Sequence, residues 1–266
     1  MTVGTSARRH REPTVVHMNS SVLAIEVEQL HKRYRSKVAV DDVSLSVEQG
    51  QVIGILGANG AGKTTTVETI AGLRKPDRGT VRVLGLDPRR DRAKLRQVLG
   101  VQLQNAYLHH ALTAAELVEL YRSFYPNPRG ADETLDLVEL SEHRGTQFEK
   151  LSGGQQQRLS VALALIGRPR VVILDELTTG LDPRARRRMW AAIERLRDEG
   201  VTVVLVSHAM DEVSRLCDTI ALLDTGRVIA QGAPAQVTGE AGAADLEEAF
   251  VRLTGHEVHD EMEADR

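Results

Sequence analysis

The 266 residues include one cysteine, one tryptophan and three phenylalanines. A single thiol, Cys217, cannot close an internal disulfide, which suits a reducing compartment. By residue type it reads as a small buried hydrophobe. Aromatics make up only 3% of the chain, so a tyrosine beside a candidate site stands out. There is no basic excess: the formal net charge of −3 argues against nucleic acid as a partner. The local arginine clusters, Arg8-Arg9 and Arg186-Arg187-Arg188, read as a loose tail and a solvated helix face. Long hydrophobic runs are missing too. The longest, Val161–Ile166, is far short of the ~20 residues that a membrane-spanning helix needs. The N-terminus has no apolar core of a signal peptide. The expectation is a chain made and kept in the cytoplasm, whose membrane work would need a separate partner. Internal repeats and low-complexity tracts are absent.

What is present is organised around Gly57-Ala58-Asn59-Gly60-Ala61-Gly62-Lys63-Thr64-Thr65. The apolar run Val52–Leu56 precedes it and reads as a buried parallel strand. Thr66–Ala71 follows and can continue as a helix. Strand, glycine-rich loop and helix are the context that the GxxxxGK[ST] phosphate-binding loop requires. The glycines let backbone N–H groups approach an anion, and the helix N-terminus adds orphan donors and the positive dipole end. Lys63 can reach the outer phosphates, and Thr64 can offer its hydroxyl to magnesium.

Around this loop the pattern alternates between strands and helices. Strands are expected at Ile25–Glu28, Val43–Val47, Gly79–Gly85, Val98–Gln104, Val171–Glu176 and Val201–Val206. A hairpin is expected about Asp224-Thr225-Gly226. The helical stretch from about residue 105 to 167 interrupts the pattern as an inserted subdomain. Within it, Thr113 and Glu116 have capping-box spacing. Residues 1–20 read as a tail, 21–237 as the main domain, and 238–266 as a helix with an acidic end.

Further stretches carry chemistry. Leu151-Ser152-Gly153-Gly154-Gln155 places an N-cap serine and two glycines at a helix start, a second possible anion cradle. Asp175 and Glu176 end an apolar strand, at the sheet edge where such folds bind ligands. There Asp175 can hold magnesium, and Glu176 can take a proton from an attacking water. His208 follows the next strand and falls at the same edge, where it can hydrogen-bond a terminal phosphate. Asp182-Pro183 opens the intervening helix. Tyr34, at a strand end, can stack on a purine or fill core.

With these motifs in register, from about Leu23 to Val237, the chain resembles the nucleotide-binding subunit of an ATP-binding cassette (ABC) transporter. Leu151–Gln155 looks like the family signature. The resemblance implies an α/β fold: a P-loop NTPase core with a mostly parallel sheet, an N-terminal antiparallel β subdomain and the helical insert. It implies ATP hydrolysis with magnesium. Glu176 would be the catalytic base and His208 the switch histidine. Gln104 would be the Q-loop glutamine that touches the metal beside Thr64 and Asp175, with Gln102 as the competing candidate. Asp182 would be the D-loop aspartate, and Tyr34 the aromatic that stacks on adenine. Gly57, Asn59, Gly60, Ala61, Gly62, Lys63, Thr64 and Thr65 would hold the phosphates on one side. Ser152, Gly153 and Gly154 of a second copy would hold them on the other. Two cassettes would close head to tail on ATP and drive a separate transmembrane permease, with this chain peripheral on the cytoplasmic face of the membrane. The ending Asp245–Gly255 looks like the tail of type 2 export ATPases of the daunorubicin-resistance kind, which implies export of a drug, antibiotic or other hydrophobic compound. A non-transport ABC ATPase of translation or DNA repair is the alternative. Against it stand the single visible cassette and the short span from Thr65 to Leu151. Two departures from the family pattern are Ala58 and Leu177, each where proline is common. Neither position contributes a phosphate ligand in the family; Leu177 can loosen the link from Glu176 to Asp182, with no loss of activity expected.

Overall fold

A computed structural model describes residues 22–103 and 108–255. Both expected tails and Gln104 lie outside these residues. The chain opens with two long antiparallel strands, β1 (Leu23–Tyr34) and β2 (Lys37–Glu48). The sequence reading makes these two short strands with His31–Arg35 between them. The structure instead carries β1 on to Tyr34. Four register shifts between β1 and β2 break the period of two, so the alternation is hidden there. The chain then passes through β3 (Val52–Leu56) and helix α1 (Lys63–Ile70), and returns to the first layer as β4 (Arg78–Val83). The resulting antiparallel sheet has the order β2-β1-β4.

The second sheet takes β3 and adds β5 (Leu99–Gln102), β6 (Val171–Asp175), β7 (Thr202–Val206), β8 (Thr219–Asp224) and β9 (Arg227–Gly232). Its order is β5-β6-β7-β3-β8-β9, parallel except for the β8–β9 hairpin. Successive side chains on its central strands enter opposite cores. Val172 and Leu174 of β6 join the core on one face, and Val171 and Ile173 the core on the other. Burial on both faces explains why these strands read as continuous apolar runs.

Helix α2 (Arg92–Val98) precedes β5, in a stretch to which the sequence reading gives no element before the strand at Val98; it buries Leu95 alone and carries no apolar stripe to announce it. The insert contains α3 (Ala114–Arg122), α4 (Ala131–Leu137), two 3₁₀ turns and α5 (Gly153–Leu165). The capping box of α3 is complete: the Thr113 Oγ1 accepts from the Glu116 N–H at 3.2 Å, and a Glu116 carboxylate oxygen accepts from the Thr113 N–H at 2.8 Å. Helix α6 (Pro183–Asp198) buries Met189, Trp190, Ile193 and Leu196. Its arginines do more than meet solvent, since Arg186 reaches Asp211 and Arg188 pairs with Glu139. Three shorter helices, α7 (Met210–Leu216), α8 (Pro234–Glu240) and α9 (Leu246–Thr254), finish the described chain. Helix α9 packs on both α7 and α8, with Leu246 and Phe250 buried in the larger core. Cys217 is buried beside β3 and desolvated, which pushes its thiol far above the ordinary range.

Candidate functional site

The phosphate loop leaves β3 and enters α1, as the motif requires. Its glycines are fixed by geometry at two positions. A Cβ on Gly57 would stand 2.3 Å from the Leu223 carbonyl, and one on Gly62 would stand 2.5 Å from that of Ala39. Gly62 also has φ +102°, a left-handed backbone that side chains disfavour. The first intrahelical bond of α1 runs from the Thr66 N–H to the Gly62 carbonyl, at 2.9 Å. The N–H groups of Thr64 and Thr65 therefore precede the helix's own ladder. Lys63 Nζ donates back to the carbonyls of Gly57 at 2.5 Å and Ala58 at 3.1 Å, so the ammonium sits over the loop it would share with phosphates. The turn of the β8–β9 hairpin clamps the loop from outside. Gly226 N–H donates to the Ala61 carbonyl, and the Gly226 carbonyl accepts from Asp41 N–H of β2.

Asp175 closes β6 and is 4% exposed. Its N–H donates to Gln102 Oε1 at 3.0 Å, so the glutamine at the end of β5 is committed to the strand end. Glu176 turns out of the strand with φ +53°, a conformation rare for a non-glycine residue and frequent at functional sites. Its N–H still pairs with the Val206 carbonyl of β7, and its carboxylate Oε1 lies 3.9 Å from His208 Nδ1. The structure thus brings Asp175, Glu176 and His208 to one sheet edge. Leu177 is fully buried, so core packing anchors the step from Glu176 towards Asp182 where a proline is usual.

Helix α5 begins with a reciprocal cap. Ser152 Oγ accepts from the Gln155 N–H, and Gln155 Oε1 accepts from the Ser152 N–H. The three consecutive glutamines Gln155-Gln156-Gln157 have separate tasks. Gln155 caps, and Gln156 Nε2 donates to the carbonyls of Phe148 and Leu151. Gln157 Nε2 donates to the Glu176 carbonyl at 2.8 Å. Sequence reasoning missed that last contact; its only trace was the unusual glutamine run. Asp182 caps α6 through the N–H groups of Ala185 and Arg184, and these bonds hold its carboxyl below the ordinary range. An open cleft of ≈ 700 Å³ joins Ser152, Gly153 and Gly154 to Asp175, Glu176 and Asp182, and no residue from Gly57 to Thr65 lines it.

Tyr34 ends β1 half out in solvent. Lys32 Nζ lies 5.4 Å and the Arg74 guanidinium 5.8 Å from its ring centre. Those cations are tethered in turn to Asp77 and Glu68. The ring is therefore not core filling, and it can exchange a cation for a base.

A model of the ABC transporter family matches residues 40–179. Over 238 residues the chain is 40% identical to a Nod factor export ATP-binding protein of Sinorhizobium fredii, covering 87% of this chain and 69% of the relative. It is 38% identical over 248 residues to a daunorubicin/doxorubicin resistance ATP-binding protein of Streptomyces peucetius, covering 91% and 74%. Among solved structures, an ATP-binding subunit of an ABC transporter superposes with a TM-score of 0.80 at 27% identity, covering 86% of this chain and 99% of that one. A dimeric ATP-binding cassette in a post-hydrolysis state, bound to ADP and Pi, superposes with a TM-score of 0.74 at 28% identity, covering 79% and 98%.

Proposed function

The chain belongs to the ABC transporter family as one of its ATPases, and from that premise we propose that it powers export of a hydrophobic or antibiotic-like compound through a separate membrane-spanning subunit. The exporter reading draws on relatives named for Nod factor export and daunorubicin resistance. Among the described residues no helix is long and apolar enough to cross a membrane, so the path for the compound is assigned to another chain.

In this reading Lys63 and the first N–H groups of α1 bind the outer phosphates of ATP, and Tyr34 stacks on the base. Thr64 and Asp175 offer a hydroxyl and a carboxylate, hard oxygen donors that suit magnesium completed by phosphate and water. Magnesium there would neutralise charge building on the transferred phosphoryl group. Glu176 takes the proton of the attacking water, and His208 steadies the terminal phosphate from the same edge. Gln104, outside the described residues, keeps the contact to metal and permease that the family resemblance gives it, since Gln102 is bonded to Asp175.

The observation that carries the two-copy mechanism is the cleft at the start of α5, because it reaches Glu176 and Asp182 but not the phosphate loop. Two helix ends suited to phosphate, set apart in one chain, are explained when each ATP lies between the loop of one copy and the signature of the other. Closure on ATP and reopening after hydrolysis would then drive the permease between two states.

The test is co-expression with a candidate polytopic membrane protein and reconstitution of the two into vesicles. ATP-dependent movement of a hydrophobic dye, abolished by Lys63→Ala, is the expected result. A chain that hydrolyses ATP yet co-purifies with ribosomes or DNA and not with the membrane protein refutes the exporter reading.

A further inference from the structure

Glu212 is 1% exposed, and the roles given above to Glu176, His208 and Asp182 make no use of it. A buried carboxylate is costly unless it is bonded. Both oxygens of Glu212 are. The Trp190 indole N–H donates to Oε1 at 3.0 Å, and the Ser207 hydroxyl donates to Oε2 at 2.7 Å. Ser207 Oγ accepts in turn from the Ala209 N–H at 3.1 Å. The two residues flanking His208 are thus tied together by one hydroxyl, and Glu212 holds that hydroxyl. Trp190 belongs to α6, the helix that Asp182 caps. The same carboxylate therefore joins the helix behind Asp182 to the loop that carries His208. Around this centre Arg215 lies over the Trp190 ring at 5.2 Å while bonding Glu194, and Arg186 reaches Asp211. For packing alone an apolar residue would serve as well as Glu212 or better. What a doubly bonded acid adds is direction.

We infer that Glu212 is a positioning residue for His208, and that through Trp190 it makes the Asp182 end of α6 and the histidine loop move as one piece. This rests on the role proposed above for His208. A copy that meets its partner through Asp182 thereby sets its own histidine, which links arrival of the second cassette to readiness for hydrolysis.

The test is a double-mutant cycle on the full chain, with ATP turnover and nucleotide affinity measured for His208→Ala, Glu212→Ala and the pair. Glu212→Ala is expected to lower kcat about ten-fold or more, as loss of an outer partner does at other sites, with affinity unchanged. In the pair, Glu212→Ala should cost nothing beyond His208→Ala. Multiplicative losses, or parental kcat in Glu212→Ala, overturn the inference. Should Glu212→Ala fail to fold, Trp190→Phe takes its place in the same cycle. It keeps an aromatic ring and removes the donor, and the same lack of additivity is required. Parental turnover in His208→Ala overturns the role of His208 itself, and that result is read without touching Glu212. Trp190 is the one tryptophan of the chain, so its emission reports the bond directly. Glu212→Gln, which keeps an acceptor for the indole, should retain the parental emission and most of kcat, whereas Glu212→Ala should shift the emission. Unchanged emission in Glu212→Ala also overturns the inference.

Discussion

Two helices in this chain start with glycines suited to an anion, and they are built on opposite plans. Helix α1 begins after Gly62, in a left-handed turn that bears no side chain, so no N-cap side chain bonds the start of the helix. Helix α5 begins after Ser152, whose hydroxyl and whose partner Gln155 satisfy each other's backbone. The first end is pressed against the backbone of two strands, with carbonyls where a Cβ of Gly57 or Gly62 would lie. At the second, a Cβ on Gly153 would meet nothing within 4 Å. One end is closely packed and carries no side-chain cap. The other is complete in itself and presents an open face. This is the division expected if α1 binds nucleotide within its own chain and α5 is lent to a partner.

The sharpest way to break that comparison is to stop hydrolysis. Glu176→Gln removes the proposed base but keeps its shape, and turnover should fall by about 10²–10⁴-fold. With ATP and magnesium the variant should elute as a dimer on gel filtration. Adding Ser152→Arg should return it to a monomer without weakening ATP binding by the single chain. If the pair of substitutions still dimerises, α5 is not the surface that the second copy uses.

A smaller effect separates the two ends by affinity. Lys63→Ala should weaken binding of a fluorescent ATP analogue by about 10–100-fold, the worth of a hydrogen bond to a charged group. Ser152→Ala should leave monomer affinity at the parental value and cost only about 1 kcal/mol of stability as a lost cap. Equal weakening by both would place the two helix ends on one nucleotide.

The smallest effect is on the fold. Gly62→Ala should destabilise by at least ~1–3 kcal/mol, from left-handed strain before any clash is counted. Gly153→Ala should stay near the parental melting temperature. Thermal denaturation of both, without nucleotide, decides it.

How far the sequence could be read follows the same physics. The phosphate loop, Ser152 and the Thr113–Glu116 box were legible because each is a local device with its residues side by side in the chain. The central strands were legible because burial on both faces leaves an unbroken apolar run. The latter half of β1 was not, since its bulges shift the alternation that would have revealed it. Glu212 and Gln157 were not, because Trp190 lies 22 residues from the one and Glu176 19 from the other, and a lone acid or glutamine on a helix looks solvated. Gln102 was named only as a competitor to Gln104. Its bond to Asp175 crosses two strands that the sequence does not mark as neighbours.

The burial of Cys217 has a practical side. Its sulfur lies 3.0 Å from the point where a Cβ on Gly54 would sit, and its thiol is held far from ionising. Thiolate is the nucleophile that attacks such reagents, so the buried natural thiol is expected to react slowly with maleimides and disulfide probes. A cysteine introduced at Gly153, and another at exposed Asn59, would each be the sole reactive handle in an otherwise native background. Crosslinkers of graded length across those two handles would act as a ruler between copies, and spin labels would follow their approach in time.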